Sequence, residues 1–517
     1  MVGKQRVRPR RFFGAVAVLM AVALLAACTG SDTGGKGQGQ GKKGQAGSSP
    51  TRTAQDPTKP NIVFVLTDDL SMNLLQYMPA VQQMQKDGAS FSHYFVTDSL
   101  CCPSRASIFT GRYPHNTGIY RNVGDDGGYL TFKALGLESD TMATDLQKAG
   151  YRTAMMGKYL NQYQPGFPAK PRKPPVGWNE WDVAGYGYNG FNYNLNQNGK
   201  VVSYGNQPED YITDVLSGRG QTFIKNSAAE NQPFMMEIAS FTPHSPYIPA
   251  PRDAKKFAGL KAPRDKAYGA HTKNAPSWLK RYQLTKKDET SMDRDFRLRV
   301  QDVQSVSDMI TNLRKELVTA GIADNTYVVF SSDNGYHMGE HSLTSGKTTA
   351  FDTDIQVPFV VVGPDVKAGS TVNALASNID IRPTFGDLAG ADVPETVDGQ
   401  SLAPLWREGS SESEASNRKF VLVEHHGPVT SKKDPDYPLP EGGNPPSYEA
   451  IRGDSWMYAV YQDGEQEYYD IAKDPFELNN LAKTMPKKRL KELNTALRRA
   501  EACAGTVACS KAQAVTQ

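Results

Sequence analysis

The chain has 517 residues, of which 38% are hydrophobic and 22% are charged, so it is long enough to bury a large core and to form more than one domain. Its formal net charge is +3, and removal of residues 1–27, which contain five basic residues and no acid, leaves −2. This near balance excludes a nucleic-acid partner held by overall basicity.

The first 27 residues have the features of an export signal. Five basic residues precede residues 12–27, an uncharged stretch that is shorter than the ~20 residues of a membrane-spanning helix. The segment Leu25-Ala26-Ala27-Cys28 resembles a bacterial lipobox, which implies that Cys28 is lipidated. An ordinary signal peptide is the alternative. We predict an exported protein of the bacterial cell envelope, either lipid-anchored to the outer face of the cytoplasmic membrane or secreted.

Composition divides the rest of the chain into three parts. Residues 28–57 are rich in Gly, Ser, Lys and Gln, a composition typical of a flexible tether that cannot pack a core. The predicted large domain covers 58–409, and a smaller C-terminal subdomain covers 410–517. Together with the signal peptide at 1–27, the chain is predicted to contain four segments.

Two hydrophobic runs in the large domain end in acidic residues. Asn61–Thr67 is typical of a buried parallel strand and is followed by Asp68-Asp69. Residues 327–332 form a second such run, followed by Asp333-Asn334. Functional groups of open α/β sheets gather at the carboxyl ends of strands, so these side chains are candidates for a site.

Further elements alternate along the large domain. Periodicity predicts a helix over 78–87, a strand over 89–96, a helix over 297–320, a strand over 356–362 and a helix over 380–388. This alternation indicates an α/β fold, with a mostly parallel central sheet flanked by helices on both faces.

The C-terminal subdomain has a different pattern. Short strands over 420–424, 456–461 and 467–470 are separated by turn residues, and a charged helix follows over 487–502. These elements predict a small antiparallel sheet. Cys503 and Cys509 are six residues apart in a chain bound for an oxidising exterior, so they are candidates for a disulfide.

The run Cys101-Cys102-Pro103-Ser104-Arg105, which continues to Arg112, carries the strongest chemical signal. Pro103 suits the first turn of a helix, which would place Cys101 near a helix N-terminus where anions are favoured. Arg105 adds a planar cationic fork for a tetrahedral oxyanion. An unmodified thiolate would also be activated at such a position, so a cysteine nucleophile is the nearest alternative chemistry.

The two strand-end pairs offer hard oxygen ligands. Asp68, Asp69, Asp333 and Asn334 suit Ca²⁺ or Mg²⁺ rather than zinc, which favours His and Cys. Taken separately, an Asp-Asp pair after a strand is more often a helix cap, and Asp-Asn-Gly is more often a turn.

Residues 101–112 resemble the signature of the formylglycine-dependent sulfatases. The resemblance implies an alkaline-phosphatase-like α/β fold and a sulfuric ester hydrolase. It implies that a formylglycine-generating enzyme oxidises Cys101 to formylglycine, whose hydrated form, a geminal diol, attacks the sulfur of a sulfate monoester. It also implies one Ca²⁺ ion held by Asp68, Asp69, Asp333, Asn334 and an oxygen of modified Cys101.

Three more cationic residues match positions of this family. Lys158, His244 and Lys347 correspond to residues that face the sulfate, with Lys347 or His244 as the donor of a proton to the leaving alcohol. Many sulfatases have a histidine two residues after the first lysine, and here Leu160 and then Asn161 follow. His115 and His341 lie close to motif residues and are predicted to line the pocket or support it.

The motifs are most similar to those of N-acetylglucosamine-6-sulfatases and heparan endosulfatases. They imply a sulfated saccharide or small-molecule substrate, such as N-acetylglucosamine-6-sulfate, with loops at 165–210 and 426–450 facing the sugar. A generic arylsulfatase, a phosphonate or phosphate ester hydrolase of the same fold, and a non-catalytic lipoprotein that binds sulfated glycans are the alternatives. The predicted membrane contact is the lipid anchor, and no nucleic acid is expected.

Overall fold

A ten-stranded sheet forms the centre of the fold in the computed structural model, which describes residues 55–166, 173–279, 282–407, 416–439 and 441–514. The predicted signal peptide, the lipidation site Cys28 and nearly all of the tether lie outside the described residues. The strands are β1 (Asn61–Thr67), β2 (Ala89–Phe91), β3 (Tyr94–Phe95), β4 (Arg152–Lys158), β5 (Glu180–Ala184), β6 (Asn194–Gln197), β7 (Lys200–Ser203), β8 (Phe234–Ala239), β9 (Thr326–Ser332), β10 (Phe359–Val362), β11 (Ser370–Val372), β12 (Ala376–Ser377), β13 (Phe420–His425), β14 (Tyr448–Gly453), β15 (Trp456–Tyr461) and β16 (Gln466–Asp470).

The central strands of this sheet run parallel, as predicted. The strand order is β11-β2-β10-β9-β1-β8-β4-β5-β6-β7, and each neighbouring pair from β9 to β5 is parallel. β10 is antiparallel to both of its neighbours, and β6 and β7 form an antiparallel edge. Because β1, β4, β8 and β9 are parallel neighbours, their carboxyl ends meet at one edge of the sheet.

Both faces of the sheet are buried. Along β1, Phe64 and Leu66 pack into one hydrophobic cluster, while Val63 and Val65 pack into another on the opposite face. This is why the strand reads as a continuous apolar run rather than an alternating one.

Helices cover these faces. They are α1 (Pro79–Asp87), α2 (Cys101–Thr110), α3 (Pro114–Thr117), α4 (Gly128–Ala134), α5 (Met142–Lys148), α6 (Ile212–Ala229), α7 (Lys286–Thr319), α8 (Asp352–Ile355), α9 (Ile381–Ala389), α10 (Ala403–Trp406), α11 (Lys487–Glu501) and α12 (Thr506–Gln513). Short 3₁₀ turns occupy Met72–Tyr77, Leu137–Ser139, Pro208–Asp210, Ala323–Asn325, Asn378–Asp380 and Ala482–Thr484. In the part of the chain that the structure describes, no helix is long and apolar enough to cross a membrane.

The predicted elements differ from the observed ones mainly at their ends. Helix α7 begins eleven residues before the predicted start because Thr285 and Asp288 form a reciprocal capping box there. β10 begins at Phe359 rather than 356, because Pro358 has no N–H for the ladder. The predicted strand over 89–96 is divided into β2 and β3.

The C-terminal sheet is antiparallel, as predicted, with the order β13-β14-β15-β16. The sequence prediction missed β14, whose residues mix apolar and charged side chains without a clear period. The sheet packs on α11 through a cluster that includes Leu422, Ile451, Leu493 and Leu497. Residues Thr53–Gln517 form one compact unit, and the predicted boundary at 409/410 lies outside the described residues and stays a prediction.

Candidate active site

Cys101 is the first residue of α2 and is fully buried. Leu100 precedes it in an extended conformation, and within the first turn the Cys102 N–H donates to Asn122 Oδ1 at 2.9 Å. The helix ends at Gly111, whose φ of 67° is left-handed and whose N–H donates to the Ser107 carbonyl at 2.8 Å. Every residue of α2 is buried, which fixes the position of the cysteine.

Arg105, on α2, lies close to residues at the carboxyl ends of β1, β4 and β9. Its Nε donates to Asp333 Oδ2 at 2.8 Å, and its Nη1 donates to the Lys158 carbonyl at 3.0 Å. Nη2 lies 4.0 Å from Asp68 Oδ1 and has no hydrogen-bond partner. The guanidinium is completely buried, so this free N–H group is available to an anion in the site.

The acidic residues after β1 and β9 converge as the sequence suggested. Asn334 Nδ2 donates to Asp69 Oδ1 at 2.7 Å, and the Asp69 N–H donates to Asp333 Oδ1 at 3.2 Å. Burial opposes ionisation of Asp333, but the charges of Arg105 and Lys158 lower its pKa below the usual value. Three buried carboxylates and one amide oxygen thus share one pocket.

This pocket fits a hard metal cation. The Asn334 Oδ1 atom is buried and has no partner, although Asn334 Nδ2 is fully engaged, which leaves an oxygen available for a ligand. Among the His, Cys, Asp and Glu residues that the structure describes, possible ligand atoms of Asp68, Asp69, Cys101 and His244 all lie within 4.8 Å of one another. The histidine is the poorer candidate, because both of its ring nitrogens face oxygen acceptors.

Two lysines neutralise the carboxylates of this pocket. Lys158 Nζ lies 2.6 Å from Asp68 Oδ2, and Lys347 Nζ lies 2.6 Å from Asp69 Oδ1. Lys347 Nζ also lies 2.9 Å from the Cys101 sulfur. Burial alone would lower the pKa of each lysine, but the neighbouring anions raise both well above the usual value. Both lysines are therefore charged at the closed end of the site.

His244 follows the end of β8 and completes the cationic set. Its Nδ1 lies 2.7 Å from the Ser245 carbonyl, and its Nε2 lies 2.8 Å from Asp436 Oδ1. Burial acts to lower its pKa, but Asp69 and Asp436 raise it to about 9. An imidazolium with two donor N–H groups matches these two acceptors.

Asp436 is a site residue that sequence reasoning did not single out. Its carboxylate contacts the Cys101 sulfur at 3.5 Å, Lys347 Nζ at 2.8 Å and Asn122 Nδ2 at 2.5 Å, besides His244. Burial opposes ionisation, but Lys347 and His244 lower its pKa well below the usual value. Its sequence context, Asp434-Pro435-Asp436, is that of an ordinary turn and gave no signal.

The environment of Cys101 does not activate its thiol, and the expectation of an activated thiolate is wrong for these surroundings. Burial raises the pKa of Cys101 well above the usual value, and the carboxylates of Asp436 and Asp68 raise it further. The two lysines lower it by less. Burial and the two acids thus outweigh the two lysines.

A cavity of about 1040 Å³ opens onto this site. Leu100 and Lys158 line it near Cys101, and Tyr186 and Tyr188 line one wall. Residues 429–435 form another part of the lining. Both loops that the sequence suggested, 165–210 and 426–450, therefore contribute residues to the cavity. The described part of the molecule thus has room for a substrate considerably larger than sulfate.

A family model described as "Sulfatase" matches residues 60–391, and one described as "N-sulphoglucosamine sulphohydrolase, C-terminal" matches residues 339–502. The chain belongs to the sulfatase family. It is a sulfuric ester hydrolase, and the predicted enzyme class is confirmed.

Curated relatives resemble this sulfatase over most of its length. The N-acetylglucosamine-6-sulfatase of Homo sapiens is 35% identical over 475 residues, which cover 86% of this chain and 85% of the relative. An extracellular sulfatase SULF-1 homolog of Drosophila melanogaster is 34% identical over 67% of this chain, which corresponds to 31% of that relative.

Solved structures confirm the fold. A protein solved in complex with its substrate D-glucosamine-2-N,6-O-disulfate has a TM-score of 0.69 at 24% identity, covering 86% of this chain and 97% of that one. A phosphonate monoester hydrolase from Silicibacter pomeroyi has a TM-score of 0.64 at 21% identity, covering 85% of this chain and 94% of that one. The sulfatase fold thus also supports a different ester chemistry.

The remaining candidates of the sulfatase lie outside the pocket. His115 Nδ1 lies 2.9 Å from Glu424, and its Nε2 lies 2.8 Å from the Cys503 carbonyl, so this side chain joins α3 to the C-terminal part. His341 stacks on Phe351 with ring centroids 3.6 Å apart. Neither histidine lines the cavity, so of the two predicted roles only the supporting one remains. Cys503 and Cys509 are joined by a disulfide bond, and Cys102 is a free, buried thiol.

Proposed function

We propose that this sulfatase hydrolyses the sulfate monoester of a sulfated sugar, such as N-acetylglucosamine-6-sulfate, with formylglycine at position 101 and a bound Ca²⁺ ion. The observation that carries the proposal is the convergence of four buried cations, Arg105, Lys158, His244 and Lys347, around Cys101, next to a cavity of about 1040 Å³ that Lys158 lines. Such a set stabilises negative charge that spreads over sulfate oxygens as the ester bond breaks.

Each cation has a distinct place around the nucleophile. Arg105 has a free Nη2, which would hold one sulfate oxygen from the side of α2. Lys158 is paired with Asp68 and Lys347 with Asp69, so both lysines would reach the sulfate from the side of these two carboxylates. Since Lys347 Nζ is 2.9 Å from the Cys101 sulfur, this lysine is the first candidate to donate a proton to the leaving alcohol, with His244 as the second.

The acidic pocket would hold the metal. Asp68, Asp69, Asp333 and Asn334 offer the oxygen ligands that Ca²⁺ prefers, together with an oxygen on residue 101. The ion would supply positive charge next to the nucleophile and polarise the sulfate. The lysines that now neutralise Asp68 and Asp69 would then turn their N–H groups toward the substrate.

The modification of Cys101 would supply the nucleophile that the thiol does not. A hydrated aldehyde offers one hydroxyl to attack sulfur and a second through which sulfate is released after the alcohol has left. The chain's own residues orient this group: α2 fixes its position, and complete burial excludes bulk water from it. The raised pKa of the Cys101 thiol supports this chemistry over an unmodified cysteine nucleophile.

The relatives and the cavity together support a sugar substrate. The human relative carries the name N-acetylglucosamine-6-sulfatase, and the cavity is lined by Tyr186 and Tyr188, whose rings are suited to stacking on a saccharide. The test is to compare turnover of N-acetylglucosamine-6-sulfate, 4-nitrophenyl sulfate and bis(4-nitrophenyl) phosphate by one preparation. Faster turnover of the phosphate diester than of both sulfates would instead identify a phosphate ester hydrolase.

We also propose an envelope location for the enzyme. The lipobox-like segment that ends at Cys28 supports a lipid anchor, and residues 28–57 would hold the catalytic part away from the membrane. The domain division at 57/58 and 409/410 belongs to the same proposal. A formylglycine-generating enzyme is the partner that maturation would require.

A further inference from the structure

One polar side chain in the wall of the cavity has no partner. Asn161 lines the cavity three residues after Lys158, and its side chain is buried, with the residue only 6% exposed. Neither its Oδ1 nor its Nδ2 makes a hydrogen bond. Among the buried cavity-lining side chains that the structure describes, no other amide leaves both its donor and its acceptor unpaired. The buried amide has therefore lost its hydrogen bonds to water on folding without forming others, which costs free energy.

The backbone around Asn161 is held firmly by hydrogen bonds. The Tyr129 N–H donates to the Asn161 carbonyl at 2.8 Å, and the Tyr163 N–H donates to the Leu160 carbonyl at 3.1 Å. Arg105 Nη1 holds the Lys158 carbonyl at 3.0 Å, which links the segment to the catalytic helix α2. The main chain that carries the amide is thus fixed in position before any ligand arrives.

The chemistry of the amide indicates what it would bind. A carboxamide presents one acceptor and one donor group and carries no charge. It therefore complements a neutral group that both donates and accepts, such as a ring hydroxyl or an acetamido group. The amide makes no specific hydrogen bond to an unsubstituted aromatic leaving group. The sulfate group would instead be bound by the buried cations.

We propose that Asn161 is a specificity-determining residue that hydrogen-bonds a hydroxyl or acetamido group of the sugar carrying the sulfate ester. This inference rests on the proposed function and deepens it: the unpaired amide selects a sugar sulfate over an aryl sulfate. A site that contains a buried hydrogen-bonding group discriminates against substrates that leave this group unpaired.

The test compares three substrates with the wild-type enzyme and two variants. The variants are Asn161→Leu, which keeps the side-chain size, and Asn161→Ala. The substrates are N-acetylglucosamine-6-sulfate, glucose-6-sulfate, which lacks the acetamido group, and 4-nitrophenyl sulfate. The quantity measured is the ratio of kcat/KM for each sugar sulfate to kcat/KM for the aryl sulfate.

We expect both variants to lower the ratio for N-acetylglucosamine-6-sulfate by about tenfold, the effect of losing one paired hydrogen-bonding group. If the ratio for glucose-6-sulfate falls equally, the partner is a hydroxyl, and if it does not fall, the partner is the acetamido group. The matched control is Asn312→Ala, an exposed amide on α7, which should leave both ratios unchanged.

A structural role for Asn161 would produce a different result. Removing an unsatisfied buried amide should not lower the thermal midpoint of Asn161→Leu, whereas loss of a structural contact would lower it. Equal losses on sugar and aryl sulfates, or no loss on either, would overturn the assignment of Asn161 while the proposed function stands. If the wild-type enzyme hydrolyses aryl sulfate and neither sugar sulfate, the proposed sugar substrate fails first, and the assignment fails with it.

Discussion

The Asp436 carboxylate lies 3.5 Å from the sulfur of Cys101 and 2.8 Å from both Lys347 Nζ and His244 Nε2. These are two of the four cations that the proposed function places around the sulfate. If sulfate binds as proposed, a carboxylate in this position competes with the substrate anion for the same positive groups.

Asp436→Ala is expected to strengthen inhibition by inorganic sulfate by about tenfold or more, because one buried like charge is removed from the anion pocket. The measurement is the inhibition constant of sulfate against 4-nitrophenyl sulfate. Asp126→Ala removes a carboxylate at the mouth of the same cavity, where the side chain is 44% exposed, and should change the constant by less than about twofold. Weaker inhibition by sulfate in Asp436→Ala would show that Asp436 helps to hold the anion.

Asp333→Asn is expected to lower calcium affinity and kcat/KM by at least about 100-fold, because it removes a hard ligand charge and the partner of Arg105. Calcium binding is measured by calorimetry on the chelator-treated protein, and Ca²⁺ should restore wild-type activity better than Zn²⁺. Asp324→Asn, an exposed acid in the turn before β9, is the control. Normal calcium binding by Asp333→Asn would mean that Asp333 does not bind the metal and only pairs with Arg105 and stabilises the turn.

Co-expression with a formylglycine-generating enzyme should convert Cys101 and leave Cys102 as a thiol, as measured by mass spectrometry of the tryptic peptide. Cys101→Ala should abolish turnover while shifting the thermal midpoint by only a few degrees, since it shortens one small side chain. Cys102→Ala should still be converted at position 101. An active enzyme without aldehyde at 101 contradicts the proposed nucleophile.

Cys28→Ser should move the protein from the membrane fraction to the soluble fraction, while aryl-sulfate hydrolysis by the catalytic part is retained. The reason is that the proposed anchor is attached at Cys28, and stable retention requires more than one acyl chain. Activity is assayed in both fractions of cells expressing either form. The anchor is refuted if the wild-type protein is already mainly soluble.

The pair His115–Glu424 predicts a pH-dependent contribution to stability. Burial acts to lower the pKa of His115, but Glu424 raises it from 6.5 to about 9. The pKa of Glu424 is raised by burial, which outweighs the lowering effect of His115. Because the folded pKa of the histidine exceeds its unfolded value, its contribution is present below about pH 6.5, provided Glu424 stays ionised, and is lost as pH rises through about 9. His115→Gln should lower the free energy of unfolding by about 2 kcal/mol at pH 6 and by much less at pH 10, as measured by urea denaturation. An equal loss at both pH values would exclude the ion pair as the cause.

The sequence was sufficient to predict the site residues that directly follow strands. Asp68, Asp69, Asp333 and Asn334 were found because apolar runs mark β1 and β9, and parallel strands place their carboxyl ends together. The sheet class followed from the same runs. Asp436 was missed because it lies about a hundred residues after β9 in a loop without periodicity, and only tertiary packing brings it to Cys101. The free amide of Asn161 was also invisible, since sequence does not show which polar groups remain unpaired.

Complete burial of Cys101 bears on whether the proposed modification comes before or after folding. Every residue in the first turn of α2 is buried, and the Asp436 carboxylate lies 3.5 Å from the Cys101 sulfur. A second enzyme with its own active-site cleft has no access to the cysteine in the folded state. The oxidation proposed for Cys101 would therefore take place on the nascent or still unfolded chain, where the rate of folding would compete with maturation.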